Sequence, residues 1–440
     1  MGSKWPRVQI AEVCDLIVDC VNKTAPTVDY KTPYKMLRTP NVKGGRVSIE
    51  DCKFVTAETF EKWTRRAEVK INDVLLTREA PLGEVGIVKA NEKLFLGQRL
   101  MQYRASPTLL DPDFLVYTFL SPDLQHQFRM HEGSGSVVSH IRVGDCLKFE
   151  LNLPPLIEQK NIAGILSSLD NKIELNCQIN TTLESMAQAL FKSWFVDFDP
   201  VIDNAIAAGH PIPEELQAKA QRRAALGDQR QPLPAEIQKL FPSSFVFNEE
   251  MGWVPEGWAQ VTLGDILILQ RGYDLPKNNR TDGAFPLIAA SGPDGTHAEY
   301  KVAGPGVTTG RSGKLGEVCL VIENFWPLNT TLWIKEYKKS SPYHAYFLLQ
   351  TLPLDQYNSG SAVPTLNRNH VHNIPLIAAP TTVITHYDMF VENMFLKKKQ
   401  LEKQNIVIEG LRDNLLPKLL SGQLQIPDAE AAVENALEAS

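Results

Sequence analysis

Apolar residues recur along this chain with two different periods. From Ile162 the positions Ile162, Leu166, Leu169, Ile173, Asn176, Asn180, Leu183, Ala187, Leu190 and Trp194 step alternately by four and three residues. Eight of these ten are apolar, which is the repeat of a coiled-coil seam. Pro154-Pro155 cannot sit inside a helix, so the helix is expected to open just beyond them. From Leu156 to Phe195 is 40 residues, and at ~1.5 Å per residue that helix spans roughly 60 Å. A second seam runs Tyr387, Val391, Met394, Leu401, Ile408, Leu411, Leu415. It opens after Pro380 with Thr381 and Thr382 as caps and closes at Ser421-Gly422. It is rougher: Lys398 and Arg412 fall where apolar residues are expected, and Pro417 should bend the last turn.

The segments ahead of each helix read as short strands and turns. Val74-Leu75-Leu76-Thr77, Val85-Gly86-Ile87-Val88 and Val318-Cys319-Leu320-Val321 are strand-like, and Gly44-Gly45, Asp282-Gly283 and Gly304-Pro305 punctuate them. A mixed α/β or α+β globule fits both segments.

The halves also repeat each other. Trp5-Pro6-Arg7-Val8-Gln9-Ile10 returns as Trp258-Ala259-Gln260-Val261-Thr262-Leu263, Leu82-Gly83-Glu84-Val85 as Leu315-Gly316-Glu317-Val318, and Ser134-Gly135-Ser136 as Ser359-Gly360-Ser361. Leu190-Phe191-Lys192 falls on Leu415-Leu416-Lys418 if Pro417 is a local departure. The numbering offset falls from 253 (Trp5 to Trp258) to 233 (Leu82 to Leu315) to 225 (Ser134 to Ser359). The common order points to a duplication whose second copy has lost residues early, with a pseudo-twofold internal repeat as the result. Two long helices packed against each other are the simplest architecture. Asn176, Asn180 and Asn405 are then either polar seam positions that fix register or residues facing solvent. Between the copies, 199–250 is rich in Pro, Ala, Gln and Arg and reads as a connector with one short helix near Glu214–Leu226. The return path is shortest if the helices run antiparallel.

Length and composition narrow the class. At roughly 150 residues per domain, 440 residues suggest two or three domains, and 43% hydrophobic against 22% charged residues excludes wholesale disorder. No run approaches the ~20 apolar residues of a membrane span, and no signal-peptide core opens the sequence. Six cysteines, Cys14, Cys20, Cys52, Cys146, Cys177 and Cys319, show no CxxC spacing and read as reduced thiols. A cytoplasmic location without membrane contact is the expectation. The net charge of −6 argues against coating nucleic acid by bulk charge. Yet residues 1–150 hold 21 Lys/Arg against 19 Asp/Glu, while 427–440 hold four acids and no base. Globules near neutrality suit sequence reading better than indiscriminate phosphate binding.

Catalytic motifs fail on inspection. Gly310-Arg311-Ser312-Gly313-Lys314-Leu315 has Thr308 where a phosphate loop needs glycine and Leu315 where it needs the magnesium-binding hydroxyl. Pro293-Asp294 and Glu299-Tyr300-Lys301 stand too close for a nuclease signature and read as a surface turn. His370-Val371-His372 could put two imidazoles on one face of a strand, but no carboxylate or cysteine neighbours them as a metal site requires. A GxSxG elbow, an HExxH pair, a glycine-rich cofactor turn and an Asn/Asp-Pro-Pro-aromatic methyltransferase motif are all missing. The expectation is a non-catalytic chain with no metal or cofactor of its own.

The turns carry the chemistry of base-edge reading, which uses Arg for guanine, Asn or Gln for adenine, and small hydroxyls. In the first copy these are Arg38, Asn41, Lys43, Arg46, Arg78, Gln98, Arg99, Ser134, Ser136, Ser139 and Arg142. In the second they are Arg271, Tyr273, Lys277, Arg280, Arg311, Ser312, Lys314, Asn329, Ser359, Ser361, Thr365, Asn367 and Arg368. Any one of them could be merely solvated; two matching sets on a duplicated frame favour double-stranded DNA.

Several stretches carry a family resemblance. Leu153-Pro154-Pro155-Leu156-Ile157-Glu158-Gln159, Ile162-Ala163, and Leu166-Ser167-Ser168-Leu169-Asp170-Asn171-Lys172-Ile173 resemble the central conserved region of type I restriction–modification specificity subunits. So do Ala189-Leu190-Phe191-Lys192-Ser193-Trp194-Phe195-Val196-Asp197-Phe198-Asp199-Pro200 and Val254-Pro255-Glu256-Gly257-Trp258. Leu415-Leu416-Pro417-Lys418-Leu419-Leu420-Ser421-Gly422 resembles the family's C-terminal conserved helix.

The resemblance implies two globular target recognition domains separated by a long antiparallel two-helix coiled coil. The division would be 1–155 first recognition domain, 156–198 central long helix, 199–250 connector, 251–380 second recognition domain, 381–424 C-terminal long helix and 425–440 acidic tail. The helices, through Ile162, Leu166, Leu169, Ile173, Leu183, Leu190, Trp194, Val391, Met394, Leu401, Ile408 and Leu415, would pair and dock two methyltransferase subunits. S-adenosylmethionine, and the ATP and magnesium of restriction subunits, would belong to those partners. The DNA site would be bipartite and asymmetric; ~60 Å of helix against ~3.4 Å per base pair caps its separation at roughly 17 base pairs. Two other classes fit the same residues: an interaction scaffold without DNA function, and a recognition module of a solitary modification methyltransferase.

Overall fold

The structure, a computed structural model, describes residues 4–130, 140–227, 233–360 and 363–438. The chain divides into two compact units, Met1–Asn176 with Lys403–Ser440, and Cys177–Glu402.

The repeat seen in sequence is a repeat of topology. The first unit's main sheet runs Cys14–Asp19, Leu100–Ala105, Val74–Arg78, Leu82–Ile87, and then adds Gly45–Val47 and Val42–Lys43. The second unit's main sheet keeps the first four in the same order: Leu267–Arg271, Thr331–Tyr337, Gly306–Gly310, Val318–Val321. Neighbours among these strands pair antiparallel in both units. Even the register is kept, since Leu76 faces Val85 as Thr309 faces Val318. The central strands are buried on both faces, which is why Val74-Leu75-Leu76-Thr77 reads as a continuous apolar run and not as alternation.

Local chemistry repeats as well. A short helix, Ile10–Val13 or Leu263–Ile266, opens each sheet; the N–H of Gln9 or Thr262 donates to the carboxylate three residues on, Glu12 at 3.1 Å and Asp265 at 2.9 Å. The helix Pro112–Leu120 is capped by the Asp111 side chain and its counterpart Pro342–Thr351 by Ser341.

The first long helix runs Leu156–Phe191 and continues as a π-helical turn, Lys192–Val196. The second runs Thr381–Ser421, helical through Pro417, and Gly422 at φ 73° follows it. In the first unit, Ile162, Leu166, Leu169 and Asn176 are buried and Ile173 half-buried, with Ile408 and Leu415 buried across from them. Asp170 receives Arg412 at 2.8 Å while Asn176 meets Asn405 at 2.7 Å, so the strands of helix run in opposite directions. In the second unit, Ala187, Trp194, Tyr387, Val391 and Leu401 are buried and Leu183, Leu190 and Met394 half-buried. Glu184 there bonds Lys398 and the Ala187 carbonyl accepts from Tyr387, again antiparallel.

The seam is broader than a coiled coil alone would need. Ala163 and Ile165 are buried with Ile162, Leu166 and Leu169, and all five join one apolar cluster with Tyr103, Phe114 and Phe119 of the first sheet and its helix. In the second unit Phe191, Trp194, Tyr387 and Phe395 share a cluster with Leu269, Tyr343 and Phe347. In each unit the globule and the long-helix segments therefore share an apolar core. Lys398 and Arg412, the rough seam positions, are accommodated because Glu184 and Asp170 stand opposite them.

Two stretches depart from the sequence reading, and the acidic tail takes a definite element. Residues 199–255 contain the expected helix, Glu214–Ala225, and beside it the helices Asp199–Ala208 and Ala235–Gln238 and a hairpin, Phe245–Asn248 with Gly252–Pro255. Polar bonds hold them: Arg223 meets Asp199 at 2.9 Å and also Asp203, and Asn204 Nδ2 donates to the carbonyls of Gln238 and Phe241 at 3.0 and 2.8 Å. Apolar periodicity gave no warning of such packing. The acidic tail is a helix, Ile426–Glu438, with Ala429 buried and Ile426 and Val433 against the first core, while Asp428, Glu430 and Glu434 stay exposed. His370-Val371-His372 lies in a helical turn, Arg368–His372, and not on a strand, because Asn367 caps it by accepting from Asn369 N at 3.0 Å.

Candidate nucleic-acid interface

Equivalent loops carry equivalent arginines. Arg78 ends a central strand and Arg311 immediately follows one, each four residues before the Leu-Gly-Glu-Val element. Arg78 N–H donates to Arg99 O at 2.8 Å and its carbonyl accepts from Ile141 N at 3.0 Å. Arg311 N–H donates to Thr330 O at 2.9 Å and its carbonyl accepts from Leu366 N at 2.8 Å. The loop holding Arg142 in one unit thus corresponds to the loop holding Asn367 and Arg368 in the other.

In the second unit this frame opens a cleft of about 360 Å³ lined by Arg271, Arg311, Leu332, Ser359, Thr365, Leu366, Asn367 and Arg368. Its floor is apolar, with Leu332 at 1% and Leu366 at 2% exposure. Arg311 is half-buried and anchored by Nη1 to Asn329 O at 3.3 Å; Arg271 pairs with Asp274 at 3.2 Å. Arg368 is exposed and makes no side-chain bond among the described residues. The hydroxyls of Ser359 and Thr365 donate to Thr365 O and Val363 O, each at 3.0 Å. The remaining second-unit candidates lie elsewhere or are engaged. Tyr273 is tilted against Trp333 at 6.2 Å, Arg280 bonds Asp294 at 2.9 Å, and Lys314 pairs with Glu317 at 2.8 Å. Ser312 N–H donates to Thr330 O, Asn329 bonds Asp274, and Lys277 is exposed without a partner among the described residues.

The first unit disperses its candidates. Asn41 is buried and accepts from Arg38 N at 2.9 Å, so its amide caps a turn instead of facing solvent. Arg38 donates to Asp51 O at 3.0 Å and Arg78 to Ile141 O at 3.0 Å. Arg99 pairs with Glu79 at 3.3 Å and Gln98 accepts from Thr24 at 3.2 Å. Arg46 reaches the long helix, donating to Asp170 O at 3.2 Å and pairing with Glu174 at 3.2 Å. Lys43 and Arg142 are exposed and unengaged among the described residues. Ser134, Ser136, Ser139 and Ser361 lie outside the described residues.

Sequence reading missed the residues that tie globule to helix. Asp170 accepts from Tyr117 at 2.7 Å as well as from Arg412, and Glu184 accepts from Tyr346 at 2.6 Å as well as from Lys398. Burial alone would push the Glu184 carboxyl up, but the hydrogen bonds from Lys398 and Tyr346 outweigh it and hold it below the usual range. The signal was present, since two bases at apolar seam positions imply acids on the facing helix. His372 Nε2 accepts from Leu269 N at 2.9 Å, and burial, helped by Arg368 and Lys338, lowers its pKa; it is a structural imidazole. Among the described residues no group of His, Cys, Asp and Glu could hold a metal ion, and no helix is long and apolar enough to cross a membrane.

Comparison with known proteins meets this geometry. Residues 2–185 match the type I restriction modification DNA specificity domain. The chain is 28% identical over 372 residues to the type I restriction enzyme HindI specificity subunit of Haemophilus influenzae, covering 74% of this chain and 80% of that one. It is 24% identical over 396 residues to the MjaIX specificity subunit of Methanocaldococcus jannaschii, covering 84% and 82%. The crystal structure of a type I system S subunit from M. genitalium shares the fold, with TM-score 0.57, 17% identity, and 95% and 96% coverage. Residues 2–185 thus match the type I restriction modification DNA specificity domain, and over about three quarters or more of its length the chain is similar to specificity subunits of type I restriction enzymes.

Proposed function

We propose that this chain reads a bipartite, asymmetric DNA site, one half-site per unit, and carries partner subunits that do the chemistry. The observation that carries the reading is the pair of equivalent loops, around Arg78 with Arg142 and around Arg311 with Arg368, built on one topology but bearing different side chains. A shared frame with different residues is what two different half-sites call for. On this reading 1–155 and 251–380 are the recognition domains and the long helices, 156–198 and 381–424, set the spacer and dock two methyltransferase subunits. Those subunits bring S-adenosylmethionine, and restriction subunits bring ATP and magnesium; this chain supplies the address.

The test is methylome sequencing of cells with and without the gene, beside a gel shift with and without the methyltransferase subunit. A split motif that disappears with the gene supports the reading. Co-purification with partners but no motif and no shift would instead identify a scaffold. Inserting one or two helical turns in step into both long helices should lengthen the unspecified spacer; an unchanged spacer would dismiss the ruler.

A further inference from the structure

The second unit's cleft has a shape and a donor inventory that separate two kinds of DNA contact. Base edges lie at the floor of a groove, so a side chain that reads them projects outward from the protein. The group that projects from a duplex toward a protein is the backbone phosphate. Here Arg271, Arg311 and Arg368 surround a recess of about 360 Å³ whose floor is Leu332 and Leu366. A recess receives a projecting group; it does not reach into a groove.

The donors agree. The Ser359 and Thr365 hydroxyl protons are directed to backbone carbonyls, and the Asn367 oxygen accepts from Asn369 N. Asn367 is therefore engaged as a cap, not free to make the paired bonds that adenine requires. What remains available is guanidinium N–H, on Arg368 without competition and on Arg271 and Arg311 beside long bonds of 3.2 and 3.3 Å. Asp274 is the acid at this rim, bonding Arg271 and Asn329. Three guanidinium groups against one rim carboxylate leave the recess net positive, which fits an anionic, acceptor-rich ligand.

We propose that this cleft seats a DNA phosphodiester and fixes the register of the second unit on the duplex, while bases are read by other side chains. The proposal rests on the DNA-reading function above. Arg368 is the residue to test, because it is exposed and holds nothing else in place.

The experiment uses the complex with its methyltransferase subunit and an oligonucleotide bearing the methylated motif, with a panel of single base-pair changes in each half-site, titrated at several salt concentrations. Arg368→Ala should weaken binding to every panel member by the same factor, about tenfold for one charge-assisted bond. It should lower the log–log salt slope by about one and leave the rank order of base changes intact. Arg368→Lys should restore most of the loss, since a phosphate accepts a point charge where a guanine edge needs the bidentate fork. One methylphosphonate at the contacted position should weaken wild type by at least as much, and should cost less in Arg368→Ala than in wild type, since only Arg271 and Arg311 then lose a partner. Loss confined to one base pair, or an unchanged salt slope, would overturn the phosphate seat while leaving DNA recognition standing. Absence of sequence-specific binding by the wild-type complex would overturn the parent reading itself.

Discussion

The buried polar layer in the first unit makes a prediction whose sign reverses between one substitution and two. Asn176 is fully buried, and its Nδ2 donates to Asn405 Oδ1 at 2.7 Å and Gln404 Oε1 at 2.9 Å, while its own Oδ1 has no partner. Asn405 is itself buried and donates to Ile173 O at 3.4 Å. Asn176→Leu keeps the γ-branched shape but removes the donor from Asn405 Oδ1, at a cost of about 1–3 kcal/mol. Asn176→Leu with Asn405→Leu removes the donor, the Asn405 acceptor and the unsatisfied Oδ1 together and replaces them with apolar contact, leaving only the half-buried Gln404 Oε1 to bond water instead. It should recover the single-variant loss and gain about 1 kcal/mol over wild type. Peptide-resolved hydrogen exchange across helix residues 165–176 and 403–412 reports the local stability, so the single variant should lose protection roughly 5- to 150-fold and the double should regain it. If the two losses simply add, the asparagines are not coupled. Stability would then come from the layer itself, and its role as a register device would fall.

Three further outcomes are expected. Leu169 lies fully buried in the first core, so Leu169→Ala should cost about 2–5 kcal/mol, whereas half-buried Leu183→Ala should cost distinctly less; chemical denaturation compares them. Asp388 accepts from Ser341 at 2.7 Å, yet burial and then Glu392 outweigh that bond and push its carboxyl up to about 6. The folded state therefore holds this proton more tightly than the unfolded chain, and the associated stability, present at pH 4, is lost as pH rises through 6. Asp388→Asn should raise thermal stability at pH 7.5 by about 1 kcal/mol after allowance for solvent screening, with no gain at pH 4; an equal gain at both pH values would refute the assignment. Arg223→Ala leaves Asp199 and Asp203 facing each other without their cation, and limited proteolysis should then cut within 199–250 faster while the long helices stay intact.

What was legible in the sequence was whatever apolar spacing alone determines. The two long helices and the central strands rest on burial, and burial leaves a period in the chain; the duplication showed in the common order of short matches, and the antiparallel pairing in the short return path of the connector. In the connector the helix at 214–225 was legible, but Asp199–Ala208 and Ala235–Gln238 were not, because the bonds that hold this packing, Arg223 to Asp199 and Asp203 and Asn204 to the Gln238 carbonyl, join residues 20 to 34 apart and leave no period. The tail read only as acidic, because four acids mask the small apolar face of Ala429 and Val433. Among the candidate contacts the difficulty was different in kind. An arginine in a loop has the same local context whether it faces DNA or braces the fold, and its acceptor lies far away in sequence: 124 residues for Arg46, 63 for Arg78.

That distinction can be made from the acceptors. A guanidinium already bonded to a carbonyl or carboxylate must break or share that bond to meet DNA, whereas an unengaged one loses only water and rotamer freedom. Four exposed cations of the candidate set make no side-chain bond among the described residues: Lys43 and Arg142 in the first unit, Lys277 and Arg368 in the second. Arg142 and Arg368 stand in corresponding loops: Arg142 follows Ile141, whose N–H donates to Arg78 O, and Arg368 lies two residues past Leu366, whose N–H donates to Arg311 O. Arg46, bonded to Asp170 O and paired with Glu174, belongs to the opposite class. Two alanine variants in the first unit therefore should diverge. Arg142→Ala should leave thermal unfolding unchanged and weaken binding of the first half-site. Arg46→Ala should lower the unfolding temperature by about 1–3 °C, the scale of an exposed ion pair with one further hydrogen bond. Its effect on affinity should be small when measured below the transition. If Arg46→Ala instead abolished half-site binding with no change in unfolding, the internal acceptors would be no guide to which side chains meet DNA.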